Sequence, residues 1–287
     1  MTTFVFPGQG SQHPGMGENL FDRFPDITLK ADHILGYSIK TLCLQDPQQQ
    51  LNQTQFTQPA LYVVNALHYY KKIHDTHQAP TFVAGHSLGE YNALLAAEVF
   101  DFETGLKLVI KRGELMSQAT GGGMAAIIGL SVSDIQSLLQ QLQLTNITIA
   151  NYNSPIQTIL TGTKDQIERL QPLVEKNGLF RLLNVSGAFH SPYMFLASQQ
   201  FAQFIDKFEF MPPKIPVIAN VNARPYLISD IKVNLINQLS SPVQWQSTIE
   251  YLLSRGQTQF EEIGVGTVLT ALINNIIINY KETVTVN

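Results

Sequence analysis

The sequence is short of charge, of cysteine and of basic clusters. Charged residues make up 14% of its 287 positions, against roughly 25% in an average soluble domain. Lys and Arg number 18 and Asp and Glu 22, and no basic run goes beyond Lys71-Lys72 and Lys111-Arg112, which argues against nucleic acid as the main ligand. The single cysteine, Cys43, excludes an internal disulfide and gives no sign of an oxidising compartment. Between Leu42 and Leu44 it reads as a buried hydrophobe rather than a reactive thiol. No window of about 18 consecutive apolar residues free of charge occurs, so no membrane span is expected. Residues 1–7 lack the basic and apolar regions of a secretion signal, and a cytoplasmic location is expected. Gly121-Gly122-Gly123 is not followed by the Lys-Ser/Thr of a phosphate loop, and there is neither a dinucleotide fingerprint nor a Cys/His cluster. The sequence therefore calls for no metal and no bound cofactor.

What is present is ample apolar material, 44% of the chain, enough for one large domain or a domain with a smaller insertion. Phe4-Val5-Phe6, stopped by Pro7-Gly8, reads as a buried strand. Helical spacings follow over 16–45, with Gly36 as a stop, and over Pro59–His74. A second short strand at Pro80–Ala84 leads into a small-residue helix, Gly89–Val99, and then another helix, Phe102–Gln118. Beyond the glycine triplet the pattern changes to β-α-β-β-α-β: Met124–Ile128, Ser133–Leu142, Ile147–Asn151, Thr158–Thr161, Lys164–Asn177 and Phe180–Val185. This is the split βαβ, ferredoxin-like order. It sits between stretches of α/β pattern, so residues 124–186 read as a subdomain inserted into a core formed by 1–123 and 187–287. Helices near 192–208, 248–255 and 267–279 and strands at Val217–Ala219 and Phe260–Ile263 complete the reading.

Gly85-His86-Ser87-Leu88-Gly89 fits the G-x-S-x-G nucleophile elbow. A serine at the tip of a sharp strand-to-helix turn leaves no room for side chains two positions either side. The turn also puts its Oγ at a helix N-terminus, where an oxyanion is favoured. At roughly 7% glycine the bare motif arises by chance in about one chain in ten. The strand before it and the helix after it are the context that makes it an elbow.

A serine needs a general base, most often histidine. Of the seven histidines, only His190 lies downstream of the elbow, in the small-residue loop Val185–Ser191. His68, His74 and His77 lie on or just beyond a polar-ended helix end, and the ring of His86 points away from a catalytic role. No carboxylate stands out after His190, since Asp206, Glu209 and Asp230 have no distinctive setting. A Ser–His dyad is therefore expected, with the ring held by a backbone carbonyl in place of the acid of a triad.

Further blocks carry a family resemblance. Phe6-Pro7-Gly8-Gln9-Gly10-Ser11-Gln12, Thr57-Gln58-Pro59-Ala60-Leu61, Lys111-Arg112-Gly113-Glu114-Leu115-Met116 and Asn153-Ser154-Pro155 occur in order with the elbow. Gly187-Ala188-Phe189-His190-Ser191, Pro242-Val243-Gln244-Trp245 and Ile263-Gly264-Val265-Gly266 follow. Together they resemble malonyl-CoA:acyl carrier protein transacylases, above all the stand-alone acyltransferases of polyketide synthases.

The resemblance implies an α/β-hydrolase-like core with a ferredoxin-like insertion. It implies a ping-pong transfer of malonyl from malonyl-CoA to the phosphopantetheine thiol of an acyl carrier protein, in polyketide or fatty-acid synthesis, by a monomer. Ser87 would carry the acyl group and His190 would move the proton. The backbone N–H groups of Gln9 and Leu88 would form the oxyanion hole, and the Gln244 carbonyl would hold His190. Arg112 would pair with the malonyl carboxylate, while Asn153 would line the substrate site. Phe189 matches the malonyl-selective form, since methylmalonyl-selective relatives carry a smaller residue there. The alternative within the family is an acyl hydrolase that clears stalled chains from carrier proteins. Such enzymes often lack the arginine, so Arg112 argues against it. An unrelated esterase fits poorly with 97 residues following His190.

Overall fold

Alternation within the first strand sets the architecture. In β1 (Thr2–Phe6), Phe4 and Phe6 pack into one apolar cluster while Val5 packs into another on the opposite side. A strand covered by helices on both faces has this pattern, and it belongs to parallel sheets. The structure, a computed structural model, describes residues 2–286. β1 lies at the centre of a parallel sheet with β2 (Phe82–Gly85). Two strands from the far end of the chain, β7 (Val217–Ile218) and β8 (Gln259–Glu262), complete the order β7-β2-β1-β8. One face is covered by the Thr54–Thr76, Gly89–Ala96 and Phe102–Ser117 helices. The other is covered by Trp245, Ile249 and Leu252 from the Trp245–Ser254 helix, and by the Val268–Val286 helix.

The second sheet is antiparallel. It consists of β3 (Gly122–Ile128), β4 (Thr148–Ser154), β5 (Gln157–Thr163) and β6 (Leu179–Leu182), in the order β4-β5-β3-β6. With helices Val132–Gln141 and Lys164–Val174 this is the ferredoxin-like arrangement the β-α-β-β-α-β pattern predicted. Ser131 and Asp134 form a capping box that starts the first of those helices, as their spacing favours. Ala125, Ile127 and Leu160 face the helices in the small core, while Met124, Ala126 and Ile159 face the first sheet. One face is thus left to roof a cleft. The two crossing segments are pressed together: a Cβ on Gly122 would lie 2.2 Å from the amide of Ala188.

Two expected helices have other bounds, and one helix was missed. The Pro59–His74 helix begins earlier, at Thr54. The helix near 192–208 is a short 3-10 turn, Pro192–Met194, followed by Phe195–Ile205. The helix Ile231–Gln238 was not foreseen, its pattern being short and broken by Asn234 and Asn237. Gly36 does stop its helix, at φ +75°.

Candidate active site

Ser87 joins β2 to the Gly89–Ala96 helix with φ +51°. A side chain in that region is costly and persists only where its surroundings fix it. Asn220 supplies the fixing: the Ser87 amide donates to its Oδ1 at 2.7 Å, and its Nδ2 donates to the Gly85 carbonyl at 2.7 Å. The glycines are required by space. A Cβ on Gly85 would lie 2.0 Å from the Gly89 carbonyl, and one on Gly89 would lie 2.0 Å from the Phe6 carbonyl. Gly85→Ala is expected to destabilise the fold by about 3 kcal/mol or more, seen as a fall in melting temperature or a loss of soluble protein.

His190 Nε2 lies 2.8 Å from Ser87 Oγ, and its Nδ1 lies 2.7 Å from the main-chain oxygen of Gln238. A carbonyl only accepts, so the ring proton sits on Nδ1 and Nε2 receives the Ser87 hydroxyl. Burial, and then the positive charge of Arg112, push the imidazole pKa down to about 3, which keeps the ring neutral. The structure thus brings Ser87 and His190 within hydrogen-bond distance, and the group that holds the ring is a backbone carbonyl.

The residue that provides the carbonyl is different. Gln244 does not hold the ring: Nδ1 meets the Gln238 oxygen instead, and the Gln244 oxygen accepts the Thr248 amide at 2.9 Å, within the start of its own helix. Gln238 ends the Ile231–Gln238 helix, where carbonyls lack an intrahelical partner, and its oxygen is free for the ring. A main-chain contact carries no residue-type signal, so only the position of that unforeseen helix could have disclosed it.

Arg112 is 1% exposed. Its Nη1 donates to Gln58 Oε1 at 2.8 Å, its Nε and Nη2 donate to Gln238 Oε1 at 3.2 and 2.8 Å, and its Nη2 also reaches Ser87 Oγ at 3.1 Å. All these partners are neutral. Among the described residues no carboxylate forms an ion pair with it. A cleft of about 420 Å³ opens over this group. Gln9, Ser87, Arg112, Phe189 and His190 line it from the core, and Asn151 and Asn153 from β4.

The remaining expected residues also converge here. Phe189, 4% exposed, walls the cleft beside the base. Asn153 Oδ1 accepts from His86 Nε2 at 2.8 Å, so His86 ties the elbow to the second sheet rather than serving as a base. The Gln9 loop presses on the elbow: a Cβ on Gly8 would lie 2.4 Å from the His86 carbonyl. Among the described residues, the amides of Gln9 and Leu88 meet no protein acceptor. Such a pair of free donors beside a serine can receive a developing oxyanion.

Sequence reasoning missed Gln58, Gln238 and Glu90. Glu90 is fully buried under the elbow, and burial pushes its carboxyl up to about 7.

The model of the family described as acyl transferase domain matches residues 3–284 of this chain. The chain belongs to the acyl transferase family. One relative of this acyl transferase is the polyketide biosynthesis malonyl CoA-acyl carrier protein transacylase PksC of Bacillus subtilis. It is 55% identical over 279 residues, covering 96% of this chain and 97% of the relative. Among solved structures, a malonyl CoA-acyl carrier protein transacylase of Burkholderia pseudomallei superposes with a TM-score of 0.95 at 51% identity, covering 97% and 98% of the two chains. A type II polyketide carrier protein in complex with its malonyl-transacylase, PlMCAT:AntF, gives 0.91 at 35% identity, covering 96% and 93%. No helix of the described residues is long and apolar enough to cross a membrane, and none of their His, Cys, Asp and Glu side chains group as a metal site would require.

Proposed function

We propose that this acyl transferase is a malonyl-CoA:acyl carrier protein transacylase that supplies extender units for polyketide synthesis. The observation that carries the substrate assignment is Arg112, a buried cation beside Ser87 Oγ with only neutral partners. A fixed guanidinium fork matches a carboxylate with two parallel hydrogen bonds. Malonyl is an acyl group that brings one.

The two half-reactions follow from the dyad. Ser87 Oγ attacks the thioester carbonyl of malonyl-CoA as its proton passes to His190 Nε2. The carbonyl oxygen becomes an oxyanion held by the Gln9 and Leu88 amides. Collapse breaks the C–S bond, and the His190 proton leaves with the coenzyme A sulfur. Next, the phosphopantetheine thiol of the carrier protein gives its proton to His190 and attacks the malonyl ester. Ser87 Oγ leaves and is reprotonated. The Gln238 carbonyl keeps the imidazole in one tautomer throughout. Charge and protons are handled by these groups alone, so the chemistry requires no metal and no cofactor.

In this reading the core, 1–123 and 187–287, holds the reacting groups, and 124–186 forms the roof through which the arm enters. The protein acts as a monomer in the cytoplasm, where the donor and the carrier proteins are found. The test is incubation with malonyl-CoA alone, followed by addition of a holo carrier protein. A malonyl-Ser87 adduct that persists in water and is discharged by the carrier is expected. Rapid release of free acid without carrier would establish a hydrolase instead.

Phe189 bounds the space beside the acyl α-carbon. Phe189→Ser is expected to raise acylation by methylmalonyl-CoA, relative to malonyl-CoA, by about tenfold or more. Competition between the two thioesters, read by mass spectrometry of the Ser87 peptide, measures it.

A further inference from the structure

Beneath the elbow lies a buried polar assembly centred on Glu90, a residue that the transfer steps above do not use. Glu90 Oε1 accepts the Asn220 amide at 2.7 Å and the Tyr226 hydroxyl at 2.8 Å. Its Oε2 accepts Gln238 Nε2. The same Nε2 donates to the Ser87 carbonyl at 2.8 Å, while Gln238 Oε1 receives Nε and Nη2 of Arg112. One glutamine thus touches the carboxylate, the elbow and the arginine, and its main-chain oxygen holds the base.

An amide has one donor end and one acceptor end, so its two faces cannot be chosen independently. Turned over, Gln238 would set its NH₂ against the guanidinium and its oxygen against the Glu90 carboxylate. Both new contacts would be repulsive in a site without solvent to screen them. We propose that Glu90 is a positioning residue for recognition of the acyl carboxylate. By holding the Nε2 end of Gln238 it turns Oε1 towards Arg112, which sets the guanidinium fork facing the cleft. The inference rests on the malonyl-transfer reading and adds to it a residue that never meets the substrate.

Glu90 is cradled only by donors, an arrangement suited to the ionised form. The groups facing it are Arg112 from the Phe102–Ser117 helix, Tyr91 from its own helix, Tyr226 from the segment after β7, and Gln238. Burial opposes the charge and brings the titration up to about 7. The sign follows. Above that pH the carboxylate locks Gln238, whereas below it the added proton competes with a donor and the lock is released. Half-saturating malonyl-CoA should therefore rise about tenfold between pH 8 and pH 6, while acetyl-CoA, which has no free carboxylate, should not follow the same curve. His190 titrates near 3 and is not the source of a limb near neutrality.

Glu90→Gln is the decisive variant, assayed by the rate of Ser87 acylation over a range of malonyl-CoA or acetyl-CoA concentrations. The expected result is a KM for malonyl-CoA raised about tenfold at pH 8 and flat down to pH 6, with a much smaller change in kcat. Tyr226→Phe removes one donor from the carboxylate. That raises the Glu90 pKa and moves the rise in KM to higher pH. A Glu90→Gln enzyme with the original KM and pH profile, or an equal loss for both thioesters, overturns the proposal. If Glu90→Gln does not fold, an unmoved profile in Tyr226→Phe overturns it. Failure of the unaltered enzyme to load malonyl at all would refute the transferase reading instead, so the two are separable.

Discussion

Arg112→Ala is expected to cut malonyl loading of Ser87 by a factor of about a hundred to a thousand, and acetyl loading far less. Breaking a buried charge-assisted pair by removing one partner costs roughly 3–5 kcal/mol, because the carboxylate is left without its opposite charge. The free enzyme does not suffer in the same way, since the guanidinium rests on Gln58, Gln238 and Ser87, all uncharged. Preference should therefore shift towards uncharged acyl groups. Lysine is expected to be a poor substitute, because a single ammonium cannot reproduce the fork held by two glutamines. Parallel acylation assays with malonyl-CoA and acetyl-CoA read the ratio directly. An equal fall for both would show that Arg112 does not recognise the carboxylate.

His190→Ala is expected to slow acylation by about a hundred- to ten-thousandfold, the usual contribution of a positioned base, leaving KM nearly unchanged. Burst kinetics with malonyl-CoA provide the measurement. The same substitution has a stability signature. In the unfolded chain the imidazole titrates near its ordinary 6.5, whereas in the folded protein it is held down to about 3. Between those values the unfolded chain binds a proton that the folded one does not, so His190 weakens the fold progressively as pH falls through that window. The melting temperature of His190→Ala, relative to the unaltered protein, should be higher at pH 4 than at pH 7.

Much of this site was legible in the sequence because its chemistry is written in residue types. Ser87 had its flanking glycines, His190 stood alone downstream, and Arg112 lay at helical spacing beside Val109 and Met116, which are buried with it. The split βαβ order of 124–186 was readable for the same reason, since strand and helix periods alternate there without interruption. Gln238 and Glu90 were not legible. Glu90 is a charged residue at 0% exposure, against every compositional expectation, and it is tolerated only because three donors from distant segments converge on it. Gln244 was named because it lies in a recognisable block, yet the holding contact depends on which carbonyl a helix end leaves free.

The central strand of the first sheet pairs on one side with residues 82–85 and on the other with residues 259–262. Residues 2–6 thus need residues 259–262, far along the sequence, before their hydrogen bonds are complete. The ferredoxin-like sheet, by contrast, closes within residues 122–182, so it can form while the rest is still being synthesised. Because Gln238 follows Ser87, Arg112 and His190 in the chain, a nascent polypeptide can hold serine, arginine and histidine and still lack the atom that orients the imidazole. The orienting carbonyl thus comes from a segment well beyond the serine, the arginine and the histidine in the chain.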